Sequence, residues 1–175
     1  MAGAAVYSMI RHKLSRAAFF GACALCLAQA WRYYPLLPDR VASHFGPSGL
    51  PNAWMERGQF FGVYLGVVGL LTLAFLGLSS KFASFEGSDM KLPNKEYWLA
   101  PERRAETLQF MSGAFLRFGA GTLALMLDVF HQVFEFNLGR TKTLDHPLLS
   151  LAVYAAFTAV WVAAFHRRFS RKPSA

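Results

Sequence analysis

The stretch from Leu108 to Leu138 is apolar enough to cross a membrane, yet it carries Arg117, Asp128, His131 and Glu135 among Phe, Leu, Ala and Gly. At about 100° per residue, Asp128 falls roughly 20° from Arg117, His131 roughly 40° to the other side, and Glu135 nearly in line with Arg117. All four share one narrow helical face. Ionisable groups in a spanning helix are costly, so they normally turn toward a bundle interior or a wet cavity. This stripe therefore implies a membrane protein with a polar interior, without saying what that interior does.

Three more apolar stretches accompany it, roughly Leu14–Tyr34, Phe60–Phe82 and Pro147–Phe165. Each is near the roughly 20 residues that a bilayer crossing needs. With 54% hydrophobic and only 16% charged residues, the chain is too apolar for an ordinary soluble domain. Residues 1–175 are read as one integral membrane domain. The expected fold is all-α: a four-helix transmembrane bundle with spans at about 14–34, 60–82, 108–138 and 147–165. Trp31, Tyr33 and Tyr34 close the first span as an aromatic belt. Gly62, Gly66 and Gly69 give the second a small-xxx-small spacing, expected to let helices approach closely. Cys23 and Cys26 lie one helical turn apart within the first span, which favours inert core thiols over redox chemistry.

Lys and Arg set the expected orientation. Arg11, Lys13 and Arg16 precede the first span. Lys81, Lys91, Lys95, Arg103 and Arg104 occupy the second loop, and Arg167, Arg168, Arg171 and Lys172 the tail. These twelve share one side, against five opposite (Arg32, Arg40, Arg57, Arg140 and Lys142). The positive side is cytoplasmic, so both termini and the 81–107 loop are expected inside. The N-terminal basic residues, the apolar run and Ala28-Gln29-Ala30 also resemble a signal peptide. The reading adopted is an uncleaved first span. The net charge of +8 is assigned to topology and lipid headgroups, and no nucleic-acid motif accompanies it. Membrane lipids, with a bound phospholipid among them, are expected partners.

The outer 35–59 loop is rich in Pro and Gly but carries Phe45, Trp54 and Met55, so it is expected to fold back on the bilayer surface. Leu37-Pro38-Asp39 suits the start of a short helix there. On the inner side, Pro101 suits a helix start and Glu102 its positive end. An amphipathic lead-in should run from there into the third span.

Two segments carry a family resemblance. Leu37-Pro38-Asp39-Arg40-Val41-Ala42-Ser43-His44-Phe45, followed by Gly49-Leu50-Pro51-Asn52-Ala53-Trp54, resembles the extracytoplasmic loop of the SdpI-like bacterial membrane proteins. Asn94-Lys95-Glu96-Tyr97-Trp98-Leu99-Ala100-Pro101-Glu102-Arg103-Arg104 resembles their cytoplasmic segment. The chain has Ala42 where that family often has proline, and Arg57 where it often has lysine. The resemblance implies a multipass protein of the bacterial inner membrane with an accessory, immunity or sensing role. Its best-known member protects its producer from a secreted peptide toxin and sequesters a repressor at the membrane. A peptide or membrane-protein partner would be engaged by His44, Asn52, Trp54 and Arg57, polar and aromatic groups on a constrained loop. Tyr97, Trp98, Glu102 and Arg103 would form the cytoplasmic motif.

Asp128, His131 and Glu135 stand at i, i+3 and i+7, a spacing that aligns potential ligands on one face, as metal sites in helix bundles require. His44 and His146 lie in outer loops at the same end, so zinc is one reading of these five residues. A structural hydrogen-bond network is another, and ligand or proton handling a third. Arg117 could snorkel toward the cytoplasmic side, or bind a lipid phosphate or a substrate anion. Tyr97 and Trp98 also suit headgroup anchoring, and His12 and His166 suit an interfacial position. No HExxH, GxSxG or phosphate-loop motif is present, so catalysis has no sequence signature. Three functions stay open: an SdpI-like recognition protein, a structural subunit of a larger membrane complex, and a metal- or lipid-dependent membrane enzyme.

Overall fold

The computed structural model describes residues 2–85 and 90–170, with side chains from residue 9 onward. The chain runs α1 (Ala2–Tyr33), β1 (Arg40–Phe45), β2 (Pro51–Glu56), α2 (Arg57–Ala83), α3 (Lys95–Trp98), α4 (Pro101–Asn137) and α5 (Pro147–Ser170). Among the described residues, four helices are long and apolar enough to cross a membrane: α1 from Met9, α2, α4 and α5. Arg171 and Lys172 of the basic tail lie outside the described residues.

Helix boundaries follow local chemistry. Pro101 and Pro147 stand at the first positions of α4 and α5, where a missing N–H costs nothing. The lead-in expected before the third span is continuous with it, making α4 a helix of 37 residues. Gly139 ends α4 with φ +70°, and the Gly139 and Arg140 N–H groups bond back to the Phe136 and Glu135 carbonyls. This left-handed stop is one that glycine adopts without steric cost.

The loop between the first two spans corrects the all-α expectation. It forms an antiparallel hairpin, with Arg40 opposite Glu56, Val41 opposite Met55 and Ala42 opposite Trp54. The register shifts on either side of His44. The helix expected at Leu37-Pro38-Asp39 does not form. Its prolines and glycines serve as hairpin punctuation instead. The Gly49 N–H bonds to the Gly46 carbonyl across Pro47-Ser48, and Gly49 takes φ +74°. Pro51 opens β2, a strand position that tolerates a missing donor. The hairpin folds down on the helix ends: Leu37, Val41 and Ala42 are buried.

The four helices pack unevenly. α4 is central and packs on α1 and α2 along one side and on α5 along the other. The buried apolar cluster draws on α1, the hairpin, α2 and α4, and none of its members lies on α5. The arrangement is a three-helix core with a peripheral fourth helix. The glycines that permit close approach are also not those expected. A Cβ on Gly62, Gly66 or Gly69 would meet nothing within 4 Å, because α2 turns Phe60, Phe61, Tyr64 and Val68 inward and its glycines away. On α4, a Cβ at Gly119 would stand 2.7 Å from both Phe19 and Phe75, and one at Gly121 would meet Phe157.

Candidate functional site

The chemistry-bearing residues collect at the two ends of the core. At the hairpin end, His44 and Asn52 hydrogen-bond through Nδ1 and Oδ1 across the strands, and both are exposed. Trp54 is 50% exposed, large for an aromatic ring beside a packed core. Arg57 behaves differently. It donates to the Leu37 carbonyl at 2.8 Å, pairs with Asp39 at 3.1 Å and lies over the Tyr34 ring. It braces the loop while the other three residues point outward.

The hairpin is tied down from two further directions. The Asn137 side chain accepts from the Ala42 N–H at 2.7 Å and donates to the Ala42 carbonyl at 3.1 Å. The Leu144 N–H donates to the Gly49 carbonyl at 3.1 Å, so the α4–α5 connection rests on the hairpin turn. These bonds satisfy backbone groups that a lone two-stranded ribbon would leave open.

The polar stripe of α4 divides three ways. Directly beneath the hairpin, the Tyr33 hydroxyl stands 2.9 Å from Glu135 Oε1 and 3.0 Å from His131 Nδ1, and Glu135 pairs with Arg140 at 2.8 Å. Asp128 faces α5 instead. It accepts from Gln132 at 3.0 Å and from the Ser150 hydroxyl. Arg117 lies toward the opposite end, donating to Ser15 Oγ at 2.7 Å. Their shared angular position thus leads to three different neighbours, because 18 residues of helix separate Arg117 from Glu135, about 27 Å at 1.5 Å per residue.

None of the four stripe residues is fully buried, and His131 is exposed. Between Asp128 and Glu135 the buried polar side chain is that of Gln132, 4% exposed. Its amide donates to Asp128 and to Ser150 (2.9 Å), and its carbonyl accepts the His146 N–H at 3.1 Å. Gln132 therefore joins α4 to the first turn of α5. Gln29 plays a like part in the core, donating to the Leu127 carbonyl and accepting from Tyr64. Gln132 and Asn137 carry no charge, so ionisable groups alone do not point to them. Their signal in the sequence is an amide side chain inside an apolar helix.

The five residues considered for zinc do not converge. His44 is with Asn52, His131 with Tyr33, Asp128 with Gln132 and Ser150, and the His146 N–H with Gln132. Among the described residues, no group of three or more His, Cys, Asp and Glu is placed to hold a metal ion. Cys23 and Cys26 are free thiols, the first near Thr72 Oγ1 and the second buried.

At the far end, the segment around Asn94 and Trp98 is a clamp. Trp98 Nε1–H and the Asn94 amide donate to the Phe169 carbonyl at 3.1 and 3.0 Å, fixing the end of α5. Arg103 lies 4.3 Å from the Tyr97 ring centre and pairs with its neighbour Glu102.

Residues 21–68 match a family described as a domain of unknown function, DUF1648. The match spans the second part of α1, the hairpin and the first part of α2. No curated protein and no solved structure matches the chain.

Proposed function

We propose that this membrane protein is a recognition module of SdpI-like type, with an accessory, immunity or sensing role. Its hairpin, on the extracytoplasmic side, engages a peptide or protein partner. The observation that carries this reading is the contrast within the hairpin. Asn137 and Leu144 hold its backbone to the end of α4 and to the α4–α5 connection, and Arg57 braces Leu37 and Asp39 just before it, while His44, Asn52 and Trp54 are left facing outward. A surface fixed in advance loses little entropy on binding. An exposed indole beside a hydrogen-bonded His–Asn pair offers apolar area and directional polar contacts. The family match covers the same hairpin with the second part of α1 and the first part of α2.

The orientation rests on the distribution of Lys and Arg, which puts both termini and the α2–α4 connection in the cytoplasm. α4 is then the element that reads the hairpin inward. Its last turn holds Ala42 through Asn137, and its first turn carries Glu102 and Arg103 beside Tyr97. The test is the double substitution His44→Ala/Trp54→Ala in the full chain. Partner capture should be abolished while membrane abundance stays at the wild-type level. Capture that survives the double substitution would remove the hairpin as the recognition surface.

A further inference from the structure

We infer that the end of the core opposite the hairpin contains a binding site for a phosphate-type anion, formed by Arg11, His12, Arg117 and Arg168. These four side chains line a cavity of about 70 Å³, and Glu106 is the single carboxylate lining it among the described residues. Glu106 is already engaged by Arg168 at 3.5 Å. Arg117 has no carboxylate within ion-pair distance among the described residues. The Arg117 and Arg168 guanidinium groups share this partly buried pocket, where they repel one another and lose hydration. An anion offsets both effects.

Three features mark the pocket as built rather than incidental. First, the guanidinium groups are positioned by aromatic rings. Arg168 lies 4.0 Å from the Phe110 ring centre and 5.5 Å from that of Trp98, and Arg117 lies 5.8 Å from Phe110. Stacking of this kind orients the planar fork without occupying its N–H groups, which match phosphate oxygens two at a time. Second, buried polar atoms remain unsatisfied: His12 Nδ1 and Arg168 Nε have no hydrogen-bond partner among the described residues. Third, Gly113 keeps the floor open. A Cβ there would stand 3.3 Å from Ser15 Oγ and 3.4 Å from both His12 Nδ1 and an Arg117 guanidinium nitrogen.

The occupant is a phosphate group, carried either by an anionic lipid headgroup or by a free ion. The pocket sits at the end bearing most Lys and Arg, where anionic headgroups concentrate. The inference is independent of the role proposed for the hairpin.

The experiment uses the full chain, delipidated in uncharged detergent. One arm follows thermal unfolding in sodium phosphate against sodium chloride at matched ionic strength. The other mixes the protein with phosphatidylglycerol or phosphatidylcholine and counts retained lipids by native mass spectrometry. A free-ion site raises Tm by about 3 °C in phosphate. A headgroup site retains one phosphatidylglycerol per chain and not phosphatidylcholine. Either effect should be lost in Arg117→Gln and in Arg168→Gln. The general salting effect of phosphate persists in those variants, so the difference from wild type isolates the site. Should a charge variant fail to fold, Gly113→Ala keeps every charge, puts one methyl into the cavity and should weaken binding about tenfold. No response in either arm, or variants that bind like wild type, would overturn the inference.

Discussion

The Asn137 side chain grips Ala42 by both its N–H and its carbonyl, at 2.7 and 3.1 Å, so the last turn of α4 stands in for a neighbouring strand along β1. A two-stranded ribbon is marginal alone. Here one amide links the hairpin to the longest helix of the protein and fixes the surface that carries His44, Asn52 and Trp54.

Asn137→Ala should therefore loosen the hairpin without disturbing the core. It leaves one donor and one acceptor of Ala42 unpaired, a cost of about 1–3 kcal/mol. Hydrogen exchange should quicken at the amides of Val41–Phe45 and remain slow in the middle of α4. Asn137→Asp keeps the acceptor for the Ala42 N–H but loses the donor to its carbonyl, and should fall between the two. Unchanged exchange in the alanine variant would show that the link is dispensable.

Gln132 should matter more to stability than Asp128. The Gln132 side chain makes three hydrogen bonds and is buried, whereas Asp128 accepts two and is partly exposed. Hydrogen bonds between membrane helices average about 0.6 kcal/mol each, with a maximum near 1.7. Gln132→Leu should cost about 2 kcal/mol and Asp128→Leu about 1 kcal/mol, read by unfolding in mixed detergent. The reverse order would return the structural weight to the ionisable stripe.

Gly119→Ala and Gly66→Ala form a direct contrast. A Cβ at Gly119 would press on the rings of Phe19 and Phe75 at 2.7 Å, where α1, α2 and α4 meet. Overpacking of this kind costs about 1–3 kcal/mol. At Gly66 nothing lies within 4 Å, and alanine should be neutral or slightly stabilising through helix propensity. Equal losses at both positions, measured by thermal stability, would contradict the packing.

These contrasts also show what could be read from the residues. The four spans are legible because length and hydropathy are local properties, and Pro101 and Pro147 mark two helix starts as expected. The hairpin is less so. Pro38, Pro47, Pro51 and the glycines announce turns but not which partner the intervening residues take. That choice depends on Asn137, 95 residues beyond Ala42. Likewise a helical wheel places Arg117 and Glu135 in line. It contains no axial information about α5, which draws Asp128 to one side while Tyr33 of α1 takes His131 and Glu135. The glycine spacing in α2 failed for a related reason: a small-residue stripe permits close approach but does not supply the neighbour.

Topology is open to cysteine labelling in a background lacking Cys23 and Cys26. A cysteine at Ser48, in the hairpin turn, should react with an impermeant reagent on intact cells. A cysteine at Ser84, at the end of α2, should react only after permeabilisation. Both positions are exposed in the fold, so access is decided by the membrane. The opposite pattern would invert the orientation and place the hairpin inside.

The most direct measurement is photo-crosslinking in living cells from a photoreactive residue introduced at Trp54, with Leu70 as the control. Leu70 is 69% exposed on the apolar face of α2 and should meet only lipid. The expected result is a discrete peptide or protein adduct at position 54, diminished by Asn137→Ala and absent at position 70. No adduct at position 54, or the same adducts at both positions, would contradict a recognition role for the hairpin.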